Sequence, residues 1–314
     1  MQLTYKKIKK IVKYLLTPKR YYGGVKMCSR CTEFVTSFIV DRLKLSYKKG
    51  KVAVFSASSI PEIMRMECAK VKIFQTRENT HVPESYWQQF EDIHLKEPSL
   101  NLSLGFDYYD HPRYLRFPYW LEHMFGPTAT KEDIERFVQD HNISNPTKRK
   151  KGCAFICKKD YFGDRAQMAD LVEQIIPISY PSDFRHNDDD MRGKYGDDKI
   201  AYLRQFRFNL CPENSNNRGY VTEKIFEAIK AGCVPIYWGN EGYPEPDILN
   251  PKAIVYMDKE KPEEGLALLR KLYEDPKAYA AFAAQPRFLP GAAEKIYAYY
   301  ERMEEKLKEI LSRI

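Results

Sequence analysis

Residues 206–239, FRFNLCPENSNNRGYVTEKIFEAIKAGCVPIYWG, constrain the possible folds of this chain more than any other stretch. Residues 206–211 read as a buried strand. The run from Pro212 to Val221 reads as a turn-rich polar loop, with Gly219 relaxing the backbone. Thr222 is placed to cap a helix whose buried stripe is Ile225, Phe226 and Ile229, and Gly232 is placed to end it in the left-handed conformation. A second apolar strand follows over 233–238. Strand, loop, helix and strand in that order form the repeating unit of a parallel α/β sheet.

The loop delivers polar side chains to a helix N-terminus, where free N–H groups and the helix dipole favour an anion. Lys224 falls in the first turn. A cation there is unfavourable by about 0.3–1 kcal/mol, so a compensating anion is expected, and a diphosphate would supply one. Glu213 or Glu223 would accept hydroxyls of a ribose or sugar, with Asn214 orienting them. The plainer reading is an ordinary turn with solvated charges. It holds for any one of these residues alone, but it does not account for them jointly.

The alternation extends along the chain. Strands are expected at 51–56 and 71–76, with a helix at 60–69 capped by Ser59. In the second half, strands are expected at 152–157 and 253–257, and helices at 164–176, 197–205, 263–274 and 276–285. A polar, basic break at 142–151 marks a domain boundary. The expected division is residues 1–148, 149–285 and a charged helical tail at 286–314. With 314 residues and 43% hydrophobic side chains, the chain is long and apolar enough for two cores.

No apolar run is long enough to span a bilayer, and the basic N-terminus lacks a cleavage site, so a cytoplasmic location is expected. Seven scattered cysteines suit reduced, buried thiols, and the lone pair Cys28 and Cys31 reads as structural. The net charge of +8 is concentrated in residues 1–51, opposed there only by Glu33 and Asp41. It admits a phosphate-rich ligand, an anionic membrane or nucleic acid. No nucleic-acid motif accompanies it, so nucleic acid is not the expected partner.

Glu213-Asn214-Ser215, then Tyr220-Val221-Thr222-Glu223-Lys224, then Ala231-Gly232-Cys233-Val234-Pro235 and Gly239 resemble the donor motif of the α-1,3-fucosyltransferases in identity and spacing. Pro212 departs from it, standing where an aromatic usually precedes the Glu-Asn pair. In the first half, Arg77-Glu78-Asn79, Gly105-Phe106-Asp107 and Arg113–Pro118 resemble the bacterial members more loosely, with Arg77 in place of a usual glycine. The resemblance implies two Rossmann-like α/β domains facing across a cleft, the GT-B plan, with a C-terminal helix. It also implies inverting transfer from GDP-fucose, without a metal or other cofactor, to N-acetylglucosamine in an N-acetyllactosamine-like glycan.

Inversion needs a base for the acceptor hydroxyl. The resemblance points to Glu78, with His81 in reserve. Lys224 and Arg165, the latter at a position similar to the family's phosphate-contacting arginine, are the expected diphosphate contacts, and Glu213, Asn214, Ser215, Tyr220, Thr222 and Glu223 complete the donor set. Asp188, Asp189 and Asp190 look like a metal-binding DxD, yet they read as a solvated acidic loop. The aromatics between Phe106 and Trp120 read as core more readily than as a sugar platform. Lysines 6–19 and the lysine-rich tail could rest on an anionic membrane. Three alternatives stay open: another sugar nucleotide, a non-catalytic GDP-binding regulator, and a basic nucleic-acid-binding protein.

Overall fold

Short β-branched and aromatic runs build two separate sheets in the computed structural model, which describes residues 4–142, 149 and 151–314. The first unit comprises residues up to Thr130 together with Tyr297–Ile314, and the second is Lys131–Ile296. The boundary expected within 142–151 falls largely on 143–148 and 150, which lie outside the described residues.

The first unit opens with helix α1 (Tyr5–Leu16), followed by a hairpin of β1 (Arg20–Tyr22) and β2 (Val25–Met27). Gly23 and Gly24 form its two-residue turn at φ of 53° and 82°, the left-handed pair that such a tight hairpin needs. Helix α2 (Glu33–Ser37) runs on into a π-helical turn. Next come β3 (Val52–Ser56), α3 (Pro61–Met66), β4 (Val71–Gln75), α4 (Ile93–Lys96), β5 (Leu102–Gly105), β6 (Tyr114–Arg116) and α5 (Tyr119–Met124). The six strands lie in sequence order, and every pair after the hairpin is parallel.

Both central strands, β3 and β4, are buried throughout, as expected when a parallel sheet is covered on both faces. Ala53, Phe55 and Phe74 pack with Ile63, Met64 and Phe90 in one cluster. The cap of α3 is Ile60, with Pro61 in the first turn, and Ser59 lies one residue outside it.

The second unit contains α6 (Lys131–His141), β7 (Lys151–Ala154), α7 (Asp164–Glu173), β8 (Ile178–Ser179), α8 (Asp190–Gly193), α9 (Lys199–Leu203) and β9 (Phe206–Pro212). It continues with α10 (Glu223–Ala231), β10 (Val234–Trp238), β11 (Val255–Tyr256), α11 (Glu263–Glu274), α12 (Pro276–Ala283) and the start of α13 (Ala292–Leu311). All pairs in its five-stranded sheet are parallel, in the order β11-β10-β9-β7-β8.

Phe208, Leu210, Val234, Ile236 and Trp238 form one face, packed with Met168, Val172, Leu269 and Leu272. Cys211, which alternates with Leu210, turns the other way, and its sulfur lies 3.6 Å from the Lys224 carbonyl of α10. Arg149 is bound into this unit, donating to the carbonyls of Ala231 at 2.5 Å and Phe206 at 3.0 Å. It satisfies the end of α10 from within the stretch expected to be the domain boundary.

The tail from 286 is divided rather than independent, since its residues from Tyr297 belong to the first unit. There Tyr300 stacks on Phe38 with centroids 6.1 Å apart and meets Phe117 at 5.6 Å, while Arg42 pairs with Glu304 at 3.2 Å. All seven cysteines are free, and five are buried. No helix among the described residues is long and apolar enough to cross a membrane.

Candidate active site

The order of the second sheet reverses between β7 and β9: the chain moves outward from β7 to β8, then returns to the other side of β7 for β9, β10 and β11. Ligands of open parallel sheets collect at the carboxyl ends of the strands flanking such a reversal. Two loops leave that point, 155–163 after β7 and 213–222 after β9. Each leads into a helix carrying a cation in its first turn, Arg165 on α7 and Lys224 on α10.

Loop 213–222 is fixed by its first residue. The Glu213 backbone N–H continues the ladder to the Trp238 carbonyl at 2.9 Å, and its side chain is fully buried. The carboxylate accepts from the Thr222 N–H at 2.8 Å, from the Thr222 hydroxyl at 2.6 Å and from the Lys224 ammonium at 3.1 Å. The Lys224 ammonium also donates to the Thr222 hydroxyl at 2.8 Å.

Two expectations change in consequence. Thr222 occupies the N-cap position, but its hydroxyl serves Glu213 instead of capping the helix. Glu213 is the buried anion that compensates Lys224, so the work of holding ligand hydroxyls is left to other acceptors. Gly239 makes room for this arrangement. It sits at φ of 141°, and a Cβ there would lie 2.7 Å from the Glu213 Cγ.

Burial opposes the charge on Lys224, but Glu213 and Glu223 outweigh it and hold its pKa above the ordinary lysine value. Arg165 acts on the same ammonium in the opposite sense, which places the two cations within electrostatic reach of each other. Arg165 itself donates to the Lys159 carbonyl at 2.5 Å. Asp160 accepts from the N–H groups of Gly163 at 3.1 Å and Ala166 at 2.8 Å, so an upstream carboxylate braces α7 as Glu213 braces α10.

Three buried polar atoms near this point lack a partner among the described residues: Arg165 Nε, Asn214 Oδ1 and the Tyr237 hydroxyl. Orphaned polar groups beside the Arg165 guanidinium and the Lys224 ammonium suit a polar, anionic ligand. Ser215 and Tyr220 are buried in the same loop. The loop is tied to the segment after β10 by Asn240, which accepts from the Gly219 N–H at 2.6 Å, and by Asn216, which accepts from the Glu241 N–H at 2.7 Å.

The other expected site residues lie elsewhere. Glu78 is in the first unit, in the loop after β4, with its N–H donated to the Thr76 hydroxyl at 3.1 Å. Its neighbour Arg77 is turned to Glu122, with Nε 3.0 Å from a carboxylate oxygen. His81 lies between Asp107 at 2.7 Å and Glu91 at 3.0 Å. The bond to Asp107 outweighs burial, and with the charge of Glu91 it pushes the imidazole pKa up to about 9. His81 is therefore cationic at neutral pH and unsuited to act as a base.

Asp188 accepts from the Tyr202 hydroxyl at 2.9 Å, and Asp189 lies 2.9 Å from the His186 ring, so these carboxylates do not converge on a common point. Among the aromatics, Phe106, Tyr114, Phe117 and Trp120 are core, whereas Tyr108 and Tyr109 are exposed.

Residues 145–287 match the family model described as glycosyltransferase family 10 (fucosyltransferase) C-term. An α-(1,3)-fucosyltransferase of Helicobacter pylori is 28% identical over 216 residues, which are 59% of this chain and 44% of that protein. GDP-fucose protein O-fucosyltransferase 3 of Homo sapiens is 31% identical over 124 residues, 39% of this chain and 23% of its own. This chain thus spans under half the length of the curated relatives it matches. The crystal structure of an α1,3-fucosyltransferase with GDP-fucose superposes with a TM-score of 0.51 over 75% of each chain, at 24% identity. The two parallel sheets follow the fold of that structure. Over residues 145–287 the chain is thus similar to glycosyltransferase family 10, the fucosyltransferases.

Proposed function

We propose that this chain transfers L-fucose from GDP-β-L-fucose, with inversion, to the 3-hydroxyl of an N-acetylglucosamine residue in a glycan. The observation that carries this reading is the pair of braced cations, Lys224 and Arg165, at the reversal of the second sheet. They lie within the stretch matched to the fucosyltransferases.

Each residue then has a task. As the bond from the fucose anomeric carbon to the diphosphate oxygen breaks, charge develops on the leaving GDP, and Lys224 and Arg165 stabilise it. Among the described residues Arg165 has an unpartnered Nε to offer, and Asn214 an unpartnered oxygen for a ligand hydroxyl or amino group. Glu223, at the start of α10, accepts ribose or sugar hydroxyls. Ser215 and Tyr220 hold the shape of the loop around them. The acceptor proton goes to Glu78, since His81 is already protonated.

Two fixed cations supply the charge that a divalent ion supplies in other transferases, so turnover is expected to persist in EDTA. A cytoplasmic location beside the membrane is also part of the proposal. Helix α1 exposes Tyr5, Ile8, Val12, Leu15 and Leu16 beside its lysines, a pattern suited to an anionic lipid surface. The test is the product: incubation with GDP-fucose and N-acetyllactosamine, then NMR of the purified trisaccharide. An α-fucosyl signal with a correlation to position 3 of the N-acetylglucosamine is expected. Fucose at any other position, or a β-fucoside, would contradict the proposed linkage or the proposed inversion.

A further inference from the structure

A cavity of about 600 Å³ opens in the first unit at the carboxyl ends of the parallel neighbours β2 and β3. Its walls come from α1, residues 17–20, residues 28–30 and residues 58–59, and none belongs to the site proposed for GDP-fucose. Lys10, Lys13, Lys19, Arg20 and Arg30 line it against a single carboxylate, Glu33, which lies 3.4 Å from Arg20. Two lysines near it are neutralised, Lys7 by Glu62 at 2.6 Å and Lys26 by Glu67 at 2.7 Å.

Lys10, Lys13, Lys19 and Arg30 have no ion pair among the described residues, and Lys10 lies over the Tyr86 ring. Lys19 is held in place by the Tyr14 carbonyl and lies 3.5 Å over the Tyr14 ring. Burial and the nearby charge of Lys26 lower its pKa, a cost that an entering anion would offset. A second, independent feature points the same way. Ser59 also lines the cavity, is 5% exposed, and its hydroxyl has no partner among the described residues.

We propose that this cavity binds a phosphoryl group, carried on a soluble sugar phosphate or on a lipid headgroup. A single carboxylate would match one of the four cations without an ion pair. A phosphate or diphosphate brings two or more charges and enough acceptor oxygens for the lysines, the Arg30 guanidinium and the Ser59 hydroxyl together. The inference does not depend on the transferase reading, because its test measures binding and not turnover.

The probe is inorganic pyrophosphate, titrated calorimetrically into the full chain; both variant pairs leave the site proposed for GDP-fucose intact, so binding there contributes equally to each. Two double variants are compared. Lys13→Ala/Arg30→Ala removes exposed cavity cations, and Lys6→Ala/Lys9→Ala removes the same charge from α1 outside the cavity. The expected result is at least a tenfold loss of pyrophosphate affinity in the first pair and no change in the second. Glucose 1-phosphate following the same pattern would assign the soluble source. Retention on phosphatidic acid vesicles that falls more in the first pair than in the second, whose lysines share the membrane face proposed for α1, would assign the lipid source. Equal behaviour of the two pairs towards both pyrophosphate and vesicles would overturn the proposal.

Discussion

Glu213 and Lys224 meet 3.1 Å apart at the start of α10, with the carboxylate fully buried and the ammonium mostly so. The pair is also bonded to Thr222 on both sides, so it is a fixed part of the fold and not a surface contact. Removing one partner of such a pair leaves the other charged and buried, at a cost of about 3–5 kcal/mol. Glu213→Ala is therefore expected to lower the thermal midpoint clearly and to weaken GDP binding, because Lys224 loses its anchor. A variant with wild-type midpoint and GDP affinity would show that the brace is not needed.

Gly239→Ala tests the same brace from its far side. The added Cβ would meet Glu213 at 2.7 Å while occupying a φ of 141° that L side chains rarely adopt. Positions of this kind cost about 1–3 kcal/mol when filled. Denaturant unfolding should register that loss, with a smaller effect at Gly242→Ala, where a Cβ meets nothing within 4 Å although the φ of 149° is equally strained. Equal losses at the two positions would place the cost in the backbone alone.

Lys224→Ala separates the phosphate role from the structural one when read by calorimetry. A hydrogen bond to a charged group contributes about 1.5–3 kcal/mol, which corresponds to a loss of GDP affinity of roughly tenfold to a hundredfold. Unchanged GDP affinity would remove Lys224 from the diphosphate.

Much of this second unit was legible in the sequence because its signals are local. The helix from Glu223 to Ala231 and its αL end at Gly232 follow from Thr222, the Ile225, Phe226 and Ile229 stripe, and the glycine. The partner of Lys224 was not legible in the same way. A lysine in a first turn implies an anion, but only the parallel pairing of β9 with β10 reveals that Glu213 is folded beneath it. The trio of His81, Glu91 and Asp107 was missed for a similar reason, since its members meet only after β4 and β5 pair. The hairpin at Gly23 and Gly24 carried a readable turn signal that the basic composition around it obscured. Strands β5, β6 and β8 are only two to four residues long, too short for periodicity to mark.

Glu78→Gln should abolish transfer by at least about a hundredfold, the lower end of what a positioned base contributes, and spare GDP affinity. Near-normal kcat in this variant would exclude Glu78 as the base.

His81 gives a pH signature. Its folded pKa of about 9 is raised from an ordinary value of about 6.5, so its stabilising contribution is complete below about pH 6.5 and is lost as pH rises through 9. The thermal midpoint should therefore fall across that window in the wild type, and fall less in His81→Gln. Parallel profiles for the two proteins would contradict the pairing with Asp107 and Glu91.

The central claim is fucose transfer from GDP-fucose, and GDP release tests it most directly. The assay presents GDP-fucose, GDP-mannose and UDP-galactose separately, with N-acetyllactosamine as acceptor and excess EDTA throughout. The account predicts acceptor-dependent release from GDP-fucose alone, undiminished by EDTA. Release from another donor, with none from GDP-fucose, would contradict it.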